Sequence, residues 1–191
     1  RGAVLLTSHL GHIEMCRALA ESEYRTRINV VVLTSNAAKF NQMLKQLNPD
    51  SQLNLIQVST IGPDTAMELA ACIDAGEMVA IAADRTPSGN YGRVSYHSFI
   101  DSVAAFPQGP FILAALLKCP VYTLFCMQTS PSSYCLDFEF LSEDLSGPRK
   151  TRHERLFSAA QLYVERLEKL AIKYPYQWFN FYDFWCPDDE D

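Results

Sequence analysis

The chain has 191 residues, 48% hydrophobic and 20% charged. That is ample material for one packed core and too apolar for a disordered chain. The formal net charge is −6, and Asp188, Asp189, Glu190 and Asp191 supply four of those charges. Residues 1–187 are therefore expected to form a single domain, with 188–191 as an acidic tail. The nearly neutral body shows no basic stripe, which excludes nucleic acid as a partner.

In chain order, Ala3 to Thr7 is a short apolar run that reads as a buried strand. Gly11 to Tyr24 has helical composition. Asn29 to Thr34 (NVVVLT) is rich in β-branched residues and reads as a strand. Asn36 is placed to cap a helix that runs to about Leu47 and ends at Asn48-Pro49. Leu53 to Val58 alternates as a strand does. Pro63-Asp64 opens a helix to about Ala75, closed by Gly76. Met78 to Ala82 is another buried strand. Asp84 to Asp101 (DRTPSGNYGRVSYHSFID) reads as one long irregular segment, of the kind that often carries function. Pro110 to Lys118 is helical. Val121 to Met127 and Tyr134 to Phe140 read as strands, paired as a hairpin across a Ser/Pro turn. Arg152 to Lys173 is a long amphipathic helix, and the aromatic stretch after it is expected to pack back on the body.

Strands alternating with helices predict an α/β fold: a three-layer sandwich with a mostly parallel central sheet flanked by helices. Ligands of such sheets bind beyond the carboxyl ends of the strands, where His9 to Glu14 and Asp84 to Asp101 both emerge. Ser102 to Leu117 is the longest uncharged apolar stretch, but it holds Pro107, Gly109 and Pro110 and is shorter than the about 20 residues of a spanning helix. The chain enters its first strand directly after Arg1-Gly2, which reads as an internal boundary with an N-terminal part upstream. The six cysteines fall in apolar or mixed runs with no C-x-x-C pair, and read as reduced thiols rather than disulfides or a zinc site.

The chemistry-bearing stretch is Thr7-Ser8-His9-Leu10-Gly11-His12-Ile13-Glu14. On one continuous helix His9 and Glu14 would lie about 140° apart. They meet if His9 sits in the strand-to-helix loop and Glu14 in the first helical turn. A carboxylate on one imidazole nitrogen fixes the tautomer and leaves the other to accept a proton. A metal site on His9, His12 and Glu14 is disfavoured because no further ligand cluster accompanies them. Arg85 and Arg93 are candidate phosphate or oxyanion contacts, since the guanidinium fork donates two bonds at once. Asp84 is a candidate either to fix the loop or to touch a ligand. Arg149, Lys150, Arg152, His153 and Arg155 form a basic cluster at the start of the long helix, suited to an acidic protein or anionic head groups.

Taken together, LLTSHLGHIE after the first strand, Ala83-Asp84-Arg85, Phe106-Pro107-Gln108-Gly109-Pro110 leading into an alanine-rich helix, and Tyr174-Pro175-Tyr176-Gln177-Trp178 with Asp183-Phe184-Trp185 resemble the bacterial lipid A late acyltransferases. These belong to the wider glycerolipid acyltransferase superfamily, marked by a histidine, four residues, then aspartate or glutamate. The resemblance spans residues 3 to 186. It implies an O-acyltransferase that moves a fatty acyl group from an acyl carrier protein or coenzyme A thioester to a hydroxyl of a lipid or glycolipid acceptor. His9 would be the general base and Glu14 its orienting partner. Arg85, Arg93, Asp84 and Gly109 would serve substrate binding. No metal and no resident cofactor is implied, and the expected location is the cytoplasmic face of a bacterial inner membrane. Two departures stand out: Gln128 stands where many relatives carry a basic residue, and the family's N-terminal membrane-associating segment is not in this sequence and is expected upstream of it; Gln108 also replaces the glutamate of the related F-P-E-G motif. The alternatives are an acyl thioesterase or other hydrolase, in which the same pair activates water, and a non-catalytic lipid-binding module with this fold.

Overall fold

The computed structural model describes residues 1–12, 27–32, 53–57, 63–86 and 93–185. The helix capped by Asn36, most of the helix read from Gly11, and the acidic tail lie outside the described residues. The rest forms β1 (Ala3–Thr7), β2 (Ile28–Val32), β3 (Leu53–Gln57), α1 (Pro63–Asp74), β4 (Met78–Ala82), β5 (Val94–Phe99), β6 (Ser102–Pro107), α2 (Gly109–Leu117), β7 (Val121–Ser130), β8 (Ser133–Ser142) and α3 (Arg152–Lys173), with single 3-10 turns at Arg149–Thr151 and Pro175–Gln177.

Six strands make one sheet in the order β3-β2-β4-β1-β7-β8. Each neighbouring pair is parallel except β7 and β8, which form the expected antiparallel hairpin. β1 lies inside this sheet and all five of its residues are buried. That explains why AVLLT is a continuous apolar run instead of an alternating one.

Successive side chains of a strand point to opposite faces, so the sheet builds two cores. Val4 and Leu6 of β1 and Val79 and Ile81 of β4 join a large core with residues of α1, α2 and α3. Leu5 and Ala80, the residues between, join a smaller cluster on the other face with Ile28, Leu124 and Cys126. Helix α3 covers the first face along a stripe of Leu156, Ala159, Ala160, Tyr163, Val164, Leu167, Leu170 and Ala171. Their spacing of three and four residues keeps them on one side of the helix. Burial of each large apolar side chain contributes about 1.5–3 kcal/mol before entropy is charged.

The segment from Asp84 to Asp101 is not irregular throughout. Val94 to Phe99 is a strand, paired antiparallel with Ser102–Pro107 in a separate two-stranded sheet. Its buried residues alternate at Ser95, His97 and Phe99, but their polar character hides the strand period in the sequence. His97 is accommodated by hydrogen bonds to Ser95 Oγ and Gln161 Oε1, each 2.8 Å. The two turn residues, Ile100 and Asp101, have φ of +49° and +60°. A two-residue hairpin with both φ positive is the type I′ turn, whose twist suits the strands but which favours asparagine and glycine. Ile100 is held there by Glu168 Oε1, which accepts its N–H at 2.5 Å, and by its contact with the core. Asp101 is exposed and carries only the steric cost of the left-handed region. Asp101→Gly is therefore expected to raise stability by up to about 1 kcal/mol, seen as a higher denaturant midpoint at unchanged slope.

Candidate active site

In the parallel register of β1 and β4, Thr7 lies opposite Ala82. The N–H of Ala83 extends the ladder by donating to the Thr7 carbonyl at 2.9 Å. Two residues beyond the paired ends, His9 and Asp84 therefore leave the sheet side by side. Both residues thus stand beyond the carboxyl ends of adjacent parallel strands, the edge at which ligands of such sheets bind.

Asp84 takes hold of His9 twice. Its Oδ2 accepts the His9 backbone N–H at 2.8 Å, and its Oδ1 lies 2.8 Å from the ring Nδ1. An ionised carboxylate can only accept, so Nδ1 carries the proton and Nε2 presents its lone pair. Asp84 is 1% exposed, whereas the His9 side chain is 37% exposed. The buried carboxylate is thus paired, and the ring it holds still reaches solvent. Among the described residues no hydrogen bond is made to Nε2. The arrangement can take a proton from a hydroxyl or water that approaches Nε2, and can stabilise the imidazolium that results.

The turn that carries His9 is built locally. Ser8 Oγ accepts the Leu10 N–H at 3.1 Å, a hydroxyl turn closed two residues on. Gly11 follows with φ of +73°, donating its N–H to the Gln177 carbonyl, while the His12 N–H donates to the Cys126 carbonyl, each at 2.7 Å. Gly11 and His12 therefore do not begin the helix read there. A Cβ on Gly11 would stand 2.0 Å from the Cys126 carbonyl oxygen. Gly11→Ala is expected to cost at least about 1–2 kcal/mol from backbone conformation alone, with the steric conflict added, and to lower activity by moving His9. Chemical denaturation read alongside turnover checks both effects.

The aromatic C-terminal stretch crosses over this turn. Phe179 N–H donates to the His9 carbonyl at 2.9 Å, and Arg85 donates from Nη2 to the Phe179 carbonyl at 2.5 Å. Gln177 and Gln128 exchange two bonds, backbone N–H to Oε1 and Nε2 to backbone carbonyl, both 2.8 Å. Gln128 thus anchors the crossing segment to the end of β7. Trp178 and Phe184 pack with Phe99 in an aromatic cluster, while Tyr176 and Phe181 stand 97% and 88% exposed.

Tyr163 lies beneath the pair. It is fully buried, and its hydroxyl donates to the Thr7 carbonyl at 2.7 Å. Burial, and then the nearby Asp84 charge, push its phenol well above the ordinary range, so it stays a protonated donor. Its place on the apolar stripe of α3 gave it the signature of a core residue in the sequence.

The structure brings His9, Asp84 and Arg85 together. Glu14 lies outside the described residues, and the carboxylate on Nδ1 is that of Asp84. Arg93 is exposed at the start of β5, where its carbonyl accepts the Gln108 N–H at 2.8 Å. Gly109 is the first residue of α2. Among the described residues no contact ties Arg93 or Gly109 to the histidine. His12 sets its ring edge-on to Tyr134 and Phe179, at centroid distances of 5.7 and 6.3 Å. Among the described residues no three His, Cys, Asp or Glu side chains group closely enough to hold a metal ion.

Fold and pair together define an α/β protein with a carboxylate-oriented histidine at the carboxyl edge of its parallel strands. Comparison with protein-family models and with curated proteins gave no match to this chain. Among the described residues no helix is long and apolar enough to cross a membrane.

Proposed function

We propose that the protein is an O-acyltransferase of the glycerolipid acyltransferase type, with His9 as general base and Asp84 as the residue that orients it. The observation that carries this reading is the half-buried imidazole held through Nδ1 by a buried carboxylate, with no hydrogen bond to Nε2 among the described residues. The acceptor hydroxyl gives its proton to Nε2 as its oxygen attacks the thioester carbonyl. The tetrahedral intermediate collapses with cleavage of the carbon–sulfur bond, and the imidazolium returns the proton to the departing thiolate. A thioester is already activated, so the protein need supply only the base, a setting for the oxyanion, and alignment of two substrates.

The donor is an acyl carrier protein or coenzyme A thioester, and the acceptor a lipid or glycolipid hydroxyl at the cytoplasmic face of a bacterial inner membrane. The exposed Tyr176 and Phe181 support this, because they lie on the segment that crosses over His9 and aromatic rings favour the membrane interface. Supplying labelled acyl thioester with and without lipid acceptors tests the reading. Label in an ester of the acceptor supports it. Label released only as free acid makes the protein a hydrolase, and no turnover with either donor removes the catalytic reading.

A further inference from the structure

β8 is the last strand of the six-stranded sheet, and among the described residues no strand or bridge pairs with its outer edge. An unpaired strand edge is a row of N–H and C=O groups ready to bind another strand. Proteins usually guard such an edge with proline, lysine, a bulge or a covering loop. β8 has ten residues, none of them proline or lysine. Its irregularities of register fall at its two ends, and the ladder to β7 is regular from Tyr134 to Phe140.

From Tyr134 to Phe140, one face of this strand carries only large apolar side chains. Tyr134, Leu136, Phe138 and Phe140 pair with residues of β7 that face the smaller core cluster, on the side of the sheet away from α3. They are between 36% and 55% exposed. Tyr122 of β7 stacks on Phe138 at 4.8 Å and meets Phe140 edge-on at 5.6 Å, which supports the row from within the sheet. The only charged residues of the strand, Asp137 and Glu139, fall on the opposite face, where Arg166 of α3 pairs with both. Leu162, one helical turn before Arg166, shares that flank of α3 and is exposed.

A bilayer or a helix laid on this row would cover the rings but leave the edge N–H and C=O groups without partners, which hydrocarbon does not tolerate. A strand meets both needs, and β8 of a second copy is such a strand. Its row is self-complementary. Run antiparallel about a two-fold axis at Asp137, Leu136 faces Phe138 and Tyr134 faces Phe140, so every apolar residue of the row meets another. Asp137 meets its own copy there, a like-charge contact that Arg166 in each copy offsets. Half-exposed rings of about 200 Å² each, with Leu136, Leu162 and the strand edge, give about 1,000 Å² over both copies, the size at which a specific interface begins.

We propose that the chain forms a two-fold dimer through β8, which continues the six-stranded sheet of one copy into that of the other. An interface near the lower size limit makes this a concentration-dependent dimer and not a permanent one. The contact is independent of the reaction proposed at His9.

Sedimentation equilibrium of the full chain tests it. The expected result is a reversible monomer–dimer equilibrium with a limiting mass twice that of one chain. Phe138→Lys sets an ammonium in the middle of the row and should raise the dissociation constant at least tenfold. Leu136→Lys makes the same test at a second exposed position, should either variant fail to fold. Amide hydrogen exchange supplies the local readout: β8 amides of the wild type gain protection as concentration rises, and those of the lysine variants do not. A chain that stays single at millimolar concentration, one that grows without a limiting mass, or a dimer that both lysine variants leave intact overturns the proposal. So does a monomer that binds phosphatidylglycerol vesicles through this row, which would assign the face to lipid.

Discussion

His9→Ala is expected to leave a folded protein whose acyl transfer is slower by about 10²–10⁴-fold. The bonds that hold the turn are made by the His9 backbone, N–H to Asp84 and carbonyl from Phe179, and alanine keeps both. What is lost is the base and the ring bond to Asp84 Oδ1. That bond is part-buried, and an unpaired acceptor left there costs about 1–3 kcal/mol, so the melting temperature should drop without loss of the cooperative transition. His9→Gln sharpens the experiment. Its amide can still donate to Asp84 but cannot take up a proton. It should recover most of the stability and none of the turnover. Wild-type rate in either variant would remove His9 from the chemistry.

Asp84→Asn should slow turnover by a similar factor, about 10²–10⁴-fold, through kcat more than KM. The carboxylate serves one residue with both oxygens, and a carboxamide has only one oxygen to offer. If that oxygen meets the His9 backbone N–H, the amide N–H faces Nδ1. The ring proton is then driven to Nε2, where the lone pair is needed. If the amide is turned over, two donors oppose each other at the backbone. Either way the tautomer or the turn is spoiled, although the side chain has nearly the same size. Imidazole ¹⁵N shifts provide a readout that a merely structural role would not move. The wild type should show a protonated Nδ1 and the variant should not. An Asp84→Asn protein with unchanged kcat and unchanged ring tautomer would assign Asp84 to the fold alone.

The exposed aromatic residues around His9 bear on the same chemistry. Tyr134 on β8 and Phe179 on the crossing segment flank His12, three residues from the base. Under the proposed function a lipid hydroxyl gives its proton to Nε2, and use of that hydroxyl in place of water distinguishes a transferase from a hydrolase. The acceptor assay and the His9 and Asp84 variants therefore probe one site from two directions.

Several elements were legible because their signals are local. The β-branched run of β2, the proline-opened α1, the hairpin of β7 and β8 and the 22-residue α3 all follow from periodicity and end signals within each segment. β5 was hidden because its buried positions hold serine and histidine, which hydrogen bonding makes tolerable only after folding. The candidate base was visible too, as a histidine just past an apolar strand.

Its described partner was not. Asp84 follows His9 by 75 residues, and no spacing rule joins them. They meet because β4 inserts between β2 and β1 in parallel register, which aligns the two strand exits to the residue. Local patterning by itself determined which segments are strands and helices and where a histidine leaves a strand. Only the tertiary structure decided the strand order, and with it which carboxylate holds that histidine, because pairing between distant strands is fixed by the packing of the whole sheet between its two cores.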